Sequence, residues 1–164
     1  MSILERLLDI DRQLEITKNY KMKVTLKRDP MKGIGLFATK DIKKDETIAY
    51  YKLTVFDADL YVSPTDHVYT FSVYLRNGNV NDALIGDIDQ TSFPMPVKNI
   101  PFWGMFVNEP SDGQAENAGF NPNIRYNYKI YGKRGIKCGD QLIYSVFALK
   151  DISAGEEIIV YYGD

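Results

Sequence analysis

Leu36-Phe37-Ala38-Thr39-Lys40-Asp41-Ile42-Lys43-Lys44-Asp45-Glu46-Thr47-Ile48 returns 110 residues downstream as Val146-Phe147-Ala148-Leu149-Lys150-Asp151-Ile152-Ser153-Ala154-Gly155-Glu156-Glu157-Ile158. Seven positions are identical: Phe, Ala, Lys, Asp, Ile, Glu and the final Ile. In each copy an apolar run meets a polar turn and an apolar run resumes. Such a pattern predicts strand, tight turn, strand. Two copies are too few for a solenoid, which takes at least about three stacked repeats. Near opposite parts of one chain they predict a pseudo-symmetric β core.

Outward from these copies the texture stays that of short strands. Tyr, Phe, Ile, Val and Thr are broken by Gly, Pro, Asn and Asp, with strands expected at 46–56, 68–75, 82–88, 104–108, 124–132, 141–148 and 157–162, and alternation over Met22–Lys27. Residues 90–102, with three prolines, and 109–123 read as irregular connections. The one helical period lies at the N-terminus. Ile3, Leu7, Ile10 and Leu14 share a face over Ser2–Asn19, with Leu4 and Leu8 beside them and Ser2 and Glu5 at capping-box spacing. That helix either packs on the domain or pairs with another chain. The fold class is therefore mainly β with an N-terminal amphipathic helix. Residues 1–20 form the helix and 21–164 one domain.

A chain of 164 residues suits one domain burying roughly 70% of its unfolded surface. Composition narrows the chemistry. There are 12 tyrosines but one histidine, His67, and one cysteine, Cys138. One Cys permits neither an internal disulfide nor a Cys-rich zinc site, and one His removes the HExxH zincins. Chemistry must rest on tyrosine, carboxylates, lysine, amides and backbone. A net charge of −2 speaks against a dedicated nucleic-acid binder. No apolar run is long enough to span a bilayer, and no basic-then-apolar leader is visible. The expectation is an intracellular protein, in cytoplasm or nucleus, with no membrane and no direct nucleic-acid contact.

Chemistry-bearing residues flank the two copies. Lys32-Gly33-Ile34-Gly35 precedes the first. Its two glycines let a ligand approach the backbone, but no third glycine or helix follows, so it is not a dinucleotide fingerprint. Glu157-Ile158-Ile159-Val160-Tyr161-Tyr162-Gly163 closes the second. Alternation turns one of its tyrosines inward, where the hydroxyl needs a partner. Between them stands Phe106-Val107-Asn108-Glu109-Pro110, followed by Asn117-Ala118-Gly119-Phe120. The Asn108 amide either bonds its own loop or serves a ligand such as an adenine edge.

Taken in order, these motifs resemble those of the SET-domain protein lysine methyltransferases. Gly33-Ile34-Gly35-Leu36-Phe37-Ala38 with Lys40-Asp41-Ile42 is similar to the family's opening motif. Tyr69-Thr70-Phe71-Ser72 is similar to its middle Tyr-x-Phe motif, and Phe106-Val107-Asn108 with Asn117 to its central one. Ala148, Lys150-Asp151-Ile152, Gly155-Glu156-Glu157-Ile158 and Tyr161-Tyr162-Gly163 are similar to its closing motif. The resemblance spans about residues 22–164 and is nearest to small stand-alone members such as viral ones, which would place the chain in a host cell.

The resemblance implies a β-clip fold whose C-terminal segment threads a loop as a pseudoknot, with S-adenosyl-L-methionine as methyl donor. Cofactor contacts would come from Lys32, Gly33, Ile34, Gly35, Asn108, Glu109 and Tyr162. Tyr162 aligns with the catalytic tyrosine, and Tyr69, Phe71, Val160 and Tyr161 would line the substrate-lysine channel, with Tyr50, Tyr51 and Tyr126 as further walls. No metal is implied. The substrate would be a protein lysine, with a histone-like tail, and so chromatin, as one candidate. A variable insert at about 74–102, carrying Asp82, Asp87 and Asp89, would meet the peptide. The chain departs from the family pattern in three ways. Glu109-Pro110 replaces His-Ser, Ser111–Glu116 lengthens the central motif, and the sequence ends at Asp164 without the Cys-rich segment of many members. A partner, a second copy in a homodimer or the N-terminal helix would then complete the channel. The alternative is a weak or inactive SET-fold binding module. The closing Asn of the central motif is Asn117, with Asn121 and Asn123 as alternatives.

Overall fold

The computed structural model describes residues 10–30, 33–60, 70–88 and 94–162. Lys32, Asp89, Tyr69 and His67, and the expected cap at Ser2 and Glu5, lie outside them. In chain order the elements are α1 (Ile10–Thr17), β1 (Val24–Asp29), β2 (Gly33–Ala38), β3 (Thr47–Asp57), β4 (Thr70–Tyr74), β5 (Val80–Ile88), β6 (Ala118–Pro122), α2 (Ile124–Tyr131) and β7 (Gln141–Ala148). β1 and β2 form an antiparallel pair, and the other strands form an antiparallel sheet in the order β4-β5-β3-β7-β6.

The central strand β3 shows why the sheet forms. Ala49, Tyr51, Leu53 and Val55 alternate inward and are essentially fully buried. Lys52 and Thr54 point the other way. Each buried large side chain is worth about 1.5–3 kcal/mol, so a register slip, which flips the whole set, is strongly disfavoured. Tyr51 sits directly opposite Tyr144 of β7.

The repeated sequence folds onto itself. Ile42 and Ile152 exchange both backbone hydrogen bonds at 2.8 Å. Ala38 N–H donates to Glu156 O and Ala148 N–H to Glu46 O; Gly155 N–H donates to Ala38 O and Asp45 N–H to Ala148 O. The side chains repeat the exchange, since Lys44 N–H donates to Asp151 Oδ1 and Ala154 N–H to Asp41 Oδ1. Each of these bonds has its counterpart 110 residues away, so the repeat encodes a local twofold axis through Ile42 and Ile152. At the turn, Asp45 has φ 73° and its counterpart Gly155 has φ 93°. Space around Gly155 is open, so Gly155→Ala tests backbone strain alone. It should destabilise the fold by about 1 kcal/mol in urea denaturation, and an unchanged midpoint would disprove the assignment.

The closing segment is threaded. Ile159 O accepts from the N–H groups of Asn117 and Ala118, and Val160 N–H donates to Asn108 O, all at 3.0 Å. That carbonyl and that N–H belong to one planar trans peptide and point in opposite directions. The segment therefore runs between Asn108 and Asn117, with the loop connecting them passing around it. Its neighbour Ile158 donates to Leu36 O at 2.8 Å. This is the β-clip with its C-terminal pseudoknot.

The α1 helix covers the domain. Ile10, Gln13 and Thr17 are buried, and Gln13 Oε1 accepts from the Trp103 indole N–H at 3.2 Å. Four expected elements differ. Residues 157–162 join their neighbours through single bridges, at Phe37, Asn108 and Ala118, rather than as a strand. Residues 124–132 form helix α2 rather than a strand, because Asn123 Oδ1 accepts from Tyr126 N–H at 3.3 Å as an N-cap and Gly132, at φ 55°, closes the far end. Residues 104–108 form a tight turn, Gly104–Phe106, that buries Trp103 and Phe106 together, and only Asn108 bridges to another segment. Part of the expected 109–123 loop is strand β6, drawn out by pairing with β7.

Candidate functional site

The closing segment brings the two ends of the repeat to one place. Its alternation ends with Tyr162 turned inward, while Tyr161 is 53% exposed. The Tyr162 hydroxyl shares a hydrogen bond with the Tyr51 hydroxyl and donates to Val107 O at 3.3 Å. A phenol has one proton to give, so Tyr51 is the donor of the pair. Three oxygens from three distant segments thus gather at one point.

Around them stands an aromatic wall. Tyr51 lies 5.0 Å from Phe71 and 6.3 Å from Phe120, ring centre to ring centre. Phe71 meets Phe120 edge-on at 5.4 Å and Tyr144 at 5.5 Å, and Phe120 reaches Tyr162 at 5.5 Å. Tilted and edge-on pairs suit the ring quadrupoles. Tyr144 is held by its own hydroxyl, which donates to Ser72 O, and burial pushes its ionisation far above the ordinary tyrosine range.

One residue beyond Val107, the Asn108 amide donates to Ile34 O at 3.2 Å and to Glu157 Oε2 at 2.8 Å. Gly35 is what allows this approach. A Cβ there would lie 2.7 Å from Glu157 Oε2, 3.0 Å from the Phe37 ring and 3.1 Å from Asn108 Nδ2. Glycine at this position leaves room beside two acceptors, the Ile34 carbonyl and the Glu157 carboxylate.

Of the expected site residues, the fold gathers Ile34, Gly35 and Asn108 in one group, and Phe71 and Tyr162 in an adjoining one linked through the Val107–Asn108 peptide. Gly33 begins β2 beside them. Val160 is fully buried, while Tyr161 and Glu109 are exposed. Of the candidate walls, Tyr51 is central, while Tyr126 lies exposed on α2. Burial raises the Tyr50 hydroxyl's ionisation, with Tyr126 adding to it. In the variable insert Asp82 is exposed but Asp87 is buried, and burial holds its carboxyl above the ordinary range. Sequence reading did not single out Phe120 or Glu157 as site residues. Phe120 stood within the Asn117-Ala118-Gly119-Phe120 run, and Glu157 within the repeated Gly-Glu-Glu; neither position announces which way its side chain turns.

The Asn117 side chain clasps the threaded segment. Its Oδ1 accepts from Ile159 N–H and its Nδ2 donates to Glu157 O, both at 2.8 Å. Asn123 caps α2 and Asn121 is exposed.

Among solved structures, the fold is similar to CpSET8 from Cryptosporidium (TM-score 0.55, 16% identity, 98% of this chain and 66% of that one). It is also similar to the methyltransferase domain of human PR domain-containing protein 2 (0.51, 22%, 92% and 83%). A third likeness is to ATXR5, solved in complex with histone H3.1 (0.52, 14%, 94% and 63%). At these identities the likeness is one of fold. No curated protein matches the sequence. The family model of the SET domain matches residues 33–163, a span that takes in the glycine strand, the Asn108 loop and the threaded tyrosine segment, and the chain accordingly belongs to the SET-domain family.

Proposed function

We propose that the protein is an S-adenosyl-L-methionine-dependent protein-lysine N-methyltransferase. The observation that carries this reading is the cluster of the Tyr51 and Tyr162 hydroxyls on the Val107 carbonyl, flanked by Phe71 and Phe120 and one peptide away from Asn108. Similarity to methyltransferase structures supports it at the level of fold.

The donor set fits the cofactor. S-adenosyl-L-methionine, when bound, supplies a methyl group on a sulfonium for transfer to an amine. Its amino-acid end carries an ammonium, and Ile34 O and the Glu157 carboxylate are acceptors suited to it, with Asn108 orienting both. Lys32, Gly33 and Gly35 would contribute backbone and Glu109 the exposed rim. Tyr51, Phe71 and Phe120 would enclose the aliphatic stem of the substrate lysine, with Tyr69 assigned by its motif alone. Burial and a neighbouring cation both lower a lysine pKa, producing the neutral amine that attack requires. The tyrosine and carbonyl oxygens accept weak C–H···O contacts from a methyl group in transit, and most of the rate comes from alignment in a water-poor site. Aromatic faces tolerate the methylammonium product. A protein lysine, with a histone tail as first candidate, is the substrate class.

Calorimetric titration with S-adenosyl-L-methionine, followed by incubation of the protein with the radiolabelled cofactor and core histones, tests the reading. We expect saturable binding and label on lysine. Binding without label on histones or on whole-cell lysate would favour the alternative, a SET-fold binding module, which the Glu109-Pro110 substitution for the family's His-Ser motivates. No cofactor binding would defeat the methyltransferase reading and leave a SET-fold module with an empty pocket. Gly35→Ala should weaken cofactor binding at least about 10-fold, because the added carbon displaces Asn108 and Glu157. An unchanged titration would separate the cofactor from this strand.

A further inference from the structure

The mild net charge of the chain averages over an uneven distribution. Between Glu116 and Asp140 there is no acidic residue, yet five basic ones occur: Arg125, Lys129, Lys133, Arg134 and Lys137. All five are exposed. Arg134 is occupied, since it pairs with both oxygens of Asp140 at 2.9 and 3.0 Å and lies over the Tyr131 ring. Among the described residues no ion pair involves the other four. Arg125 and Lys129 lie one turn apart on α2, and Lys133 follows in the next turn.

Folding does not account for this charge. Like charges at i,i+4 repel, and Arg125 sits in the first turn, the end where the helix dipole disfavours a cation. The inner face of α2 is anchored by neutral groups instead. Asn127 exchanges hydrogen bonds with the Ile143 backbone, the Tyr128 hydroxyl donates to Tyr74 O, and the Tyr131 hydroxyl donates to Gln141 O. From the turn after β4, Arg76 adds a further positive charge. It lies over the Tyr128 ring and donates to Gly132 O, beside a groove of about 530 Å³ that Lys133 also lines.

We propose that the exposed face of α2 and the turn after it is a docking surface for the phosphate backbone of double-stranded nucleic acid. The partner is identified by charge complementarity. Along the segment the charge is of one sign, with Asp45 near Arg125 at its β6 end and Asp140 taken up by Arg134; such a stripe gives a polyanion attraction and no register, which is how a phosphate backbone is bound. An acidic protein segment would call for apolar pockets that fix its register. A membrane would call for a longer helix with large apolar side chains opposite the cations, and α2 has eight residues with its other face taken up by the domain. The position also matters. β6 runs from Phe120, which packs on Tyr162, directly into the Asn123 cap of α2. Nucleic acid held here would be kept beside the aromatic site. The proposal does not depend on the methyltransferase reading.

Fluorescence anisotropy of a labelled 20-base-pair duplex with the full chain tests it. With three to four phosphates neutralised, log K should fall with log salt at a slope of about −3, close to a 10²-fold loss between 50 and 200 mM salt. Arg125→Gln/Lys129→Gln/Lys133→Gln should weaken binding at 50 mM salt at least about 10-fold and flatten the slope to about −1, with an unchanged circular dichroism spectrum. Should the triple variant misfold, Lys129→Gln alone should reduce the slope by about 0.9. Absence of saturable duplex binding at 50 mM salt, equal binding by the variants, or preference for poly-glutamate or phosphatidylserine vesicles over the duplex would each overturn the proposal.

Discussion

Tyr162→Phe is expected to slow methyl transfer about 10²–10³-fold while the protein stays folded and still binds S-adenosyl-L-methionine. The substitution removes one oxygen and keeps the ring, so the 5.5 Å contact with Phe120 survives. What goes is the junction of three segments. The hydroxyl joins β3 through Tyr51, the Asn108 loop through the Val107 carbonyl, and the closing segment that bears it. Without it the oxygen cluster loses its centre, and alignment of amine and methyl group is left to the aromatic walls. The stability cost is that of one buried hydrogen bond, about 1 kcal/mol. The informative comparison is single-turnover rate against cofactor affinity. A fall in rate at unchanged affinity is the expected pattern, and a variant as fast as the wild type would remove Tyr162 from the chemistry. Tyr51→Phe should show a smaller loss, since the Tyr162 hydroxyl would keep its bond to Val107.

The repeat made much of this fold legible, because identical residues at a fixed offset can satisfy each other's backbone across a twofold axis. The alternation in β3 and β7 was legible too, since one face of each strand is wholly buried. The misread elements share a cause. Ile124-Arg125-Tyr126-Asn127-Tyr128 has the β-branched and aromatic composition of a strand, but its covered positions, half-buried Ile124, Tyr128 and Tyr131 with buried Asn127, recur at helical spacing. Asn123 and Gly132 mark its two ends, and those punctuation residues outweighed propensity. Residues 118–122 looked too polar for a strand; their pairing comes from β7, a tertiary fact. The site was legible only where motif order carried it. Choosing Tyr51 over Tyr50 required knowing that a hydroxyl 111 residues away meets it. Glu157 was hidden in the same way, 49 residues from its partner, being visible as a turn-flanking carboxylate but not as the partner of Asn108.

Asn117→Ala should cost about 3 kcal/mol of folding stability, roughly a 10²-fold change in the folding equilibrium, and should loosen the site as well. The Asn117 side chain acts as an extra peptide group. It accepts from Ile159 N–H and donates to Glu157 O, two backbone groups of the threaded segment. Ile159 is 1% exposed, so water does not replace the lost partner easily. Each orphaned group carries a penalty of about 1–3 kcal/mol. Asn117→Asp keeps the acceptor but sets a carboxylate oxygen against a carbonyl, so it should recover only part of the loss. Asn127→Ala is the matched control. It too is buried and exchanges two bonds with one backbone residue, Ile143, but it holds α2 rather than the segment bearing Glu157 and Tyr162. Urea denaturation should therefore show both variants destabilised. Cofactor titration below the unfolding transition should separate them, with Asn117→Ala weakened and Asn127→Ala near wild type. If Asn117→Ala unfolded within 0.5 kcal/mol of wild type, a bound on the usual surface-substitution scale, the thread would be held by its backbone bonds to Leu36, Asn108, Asn117 and Ala118. If both variants lost affinity equally, the closing segment would be responding to global stability rather than to the residue that clasps it.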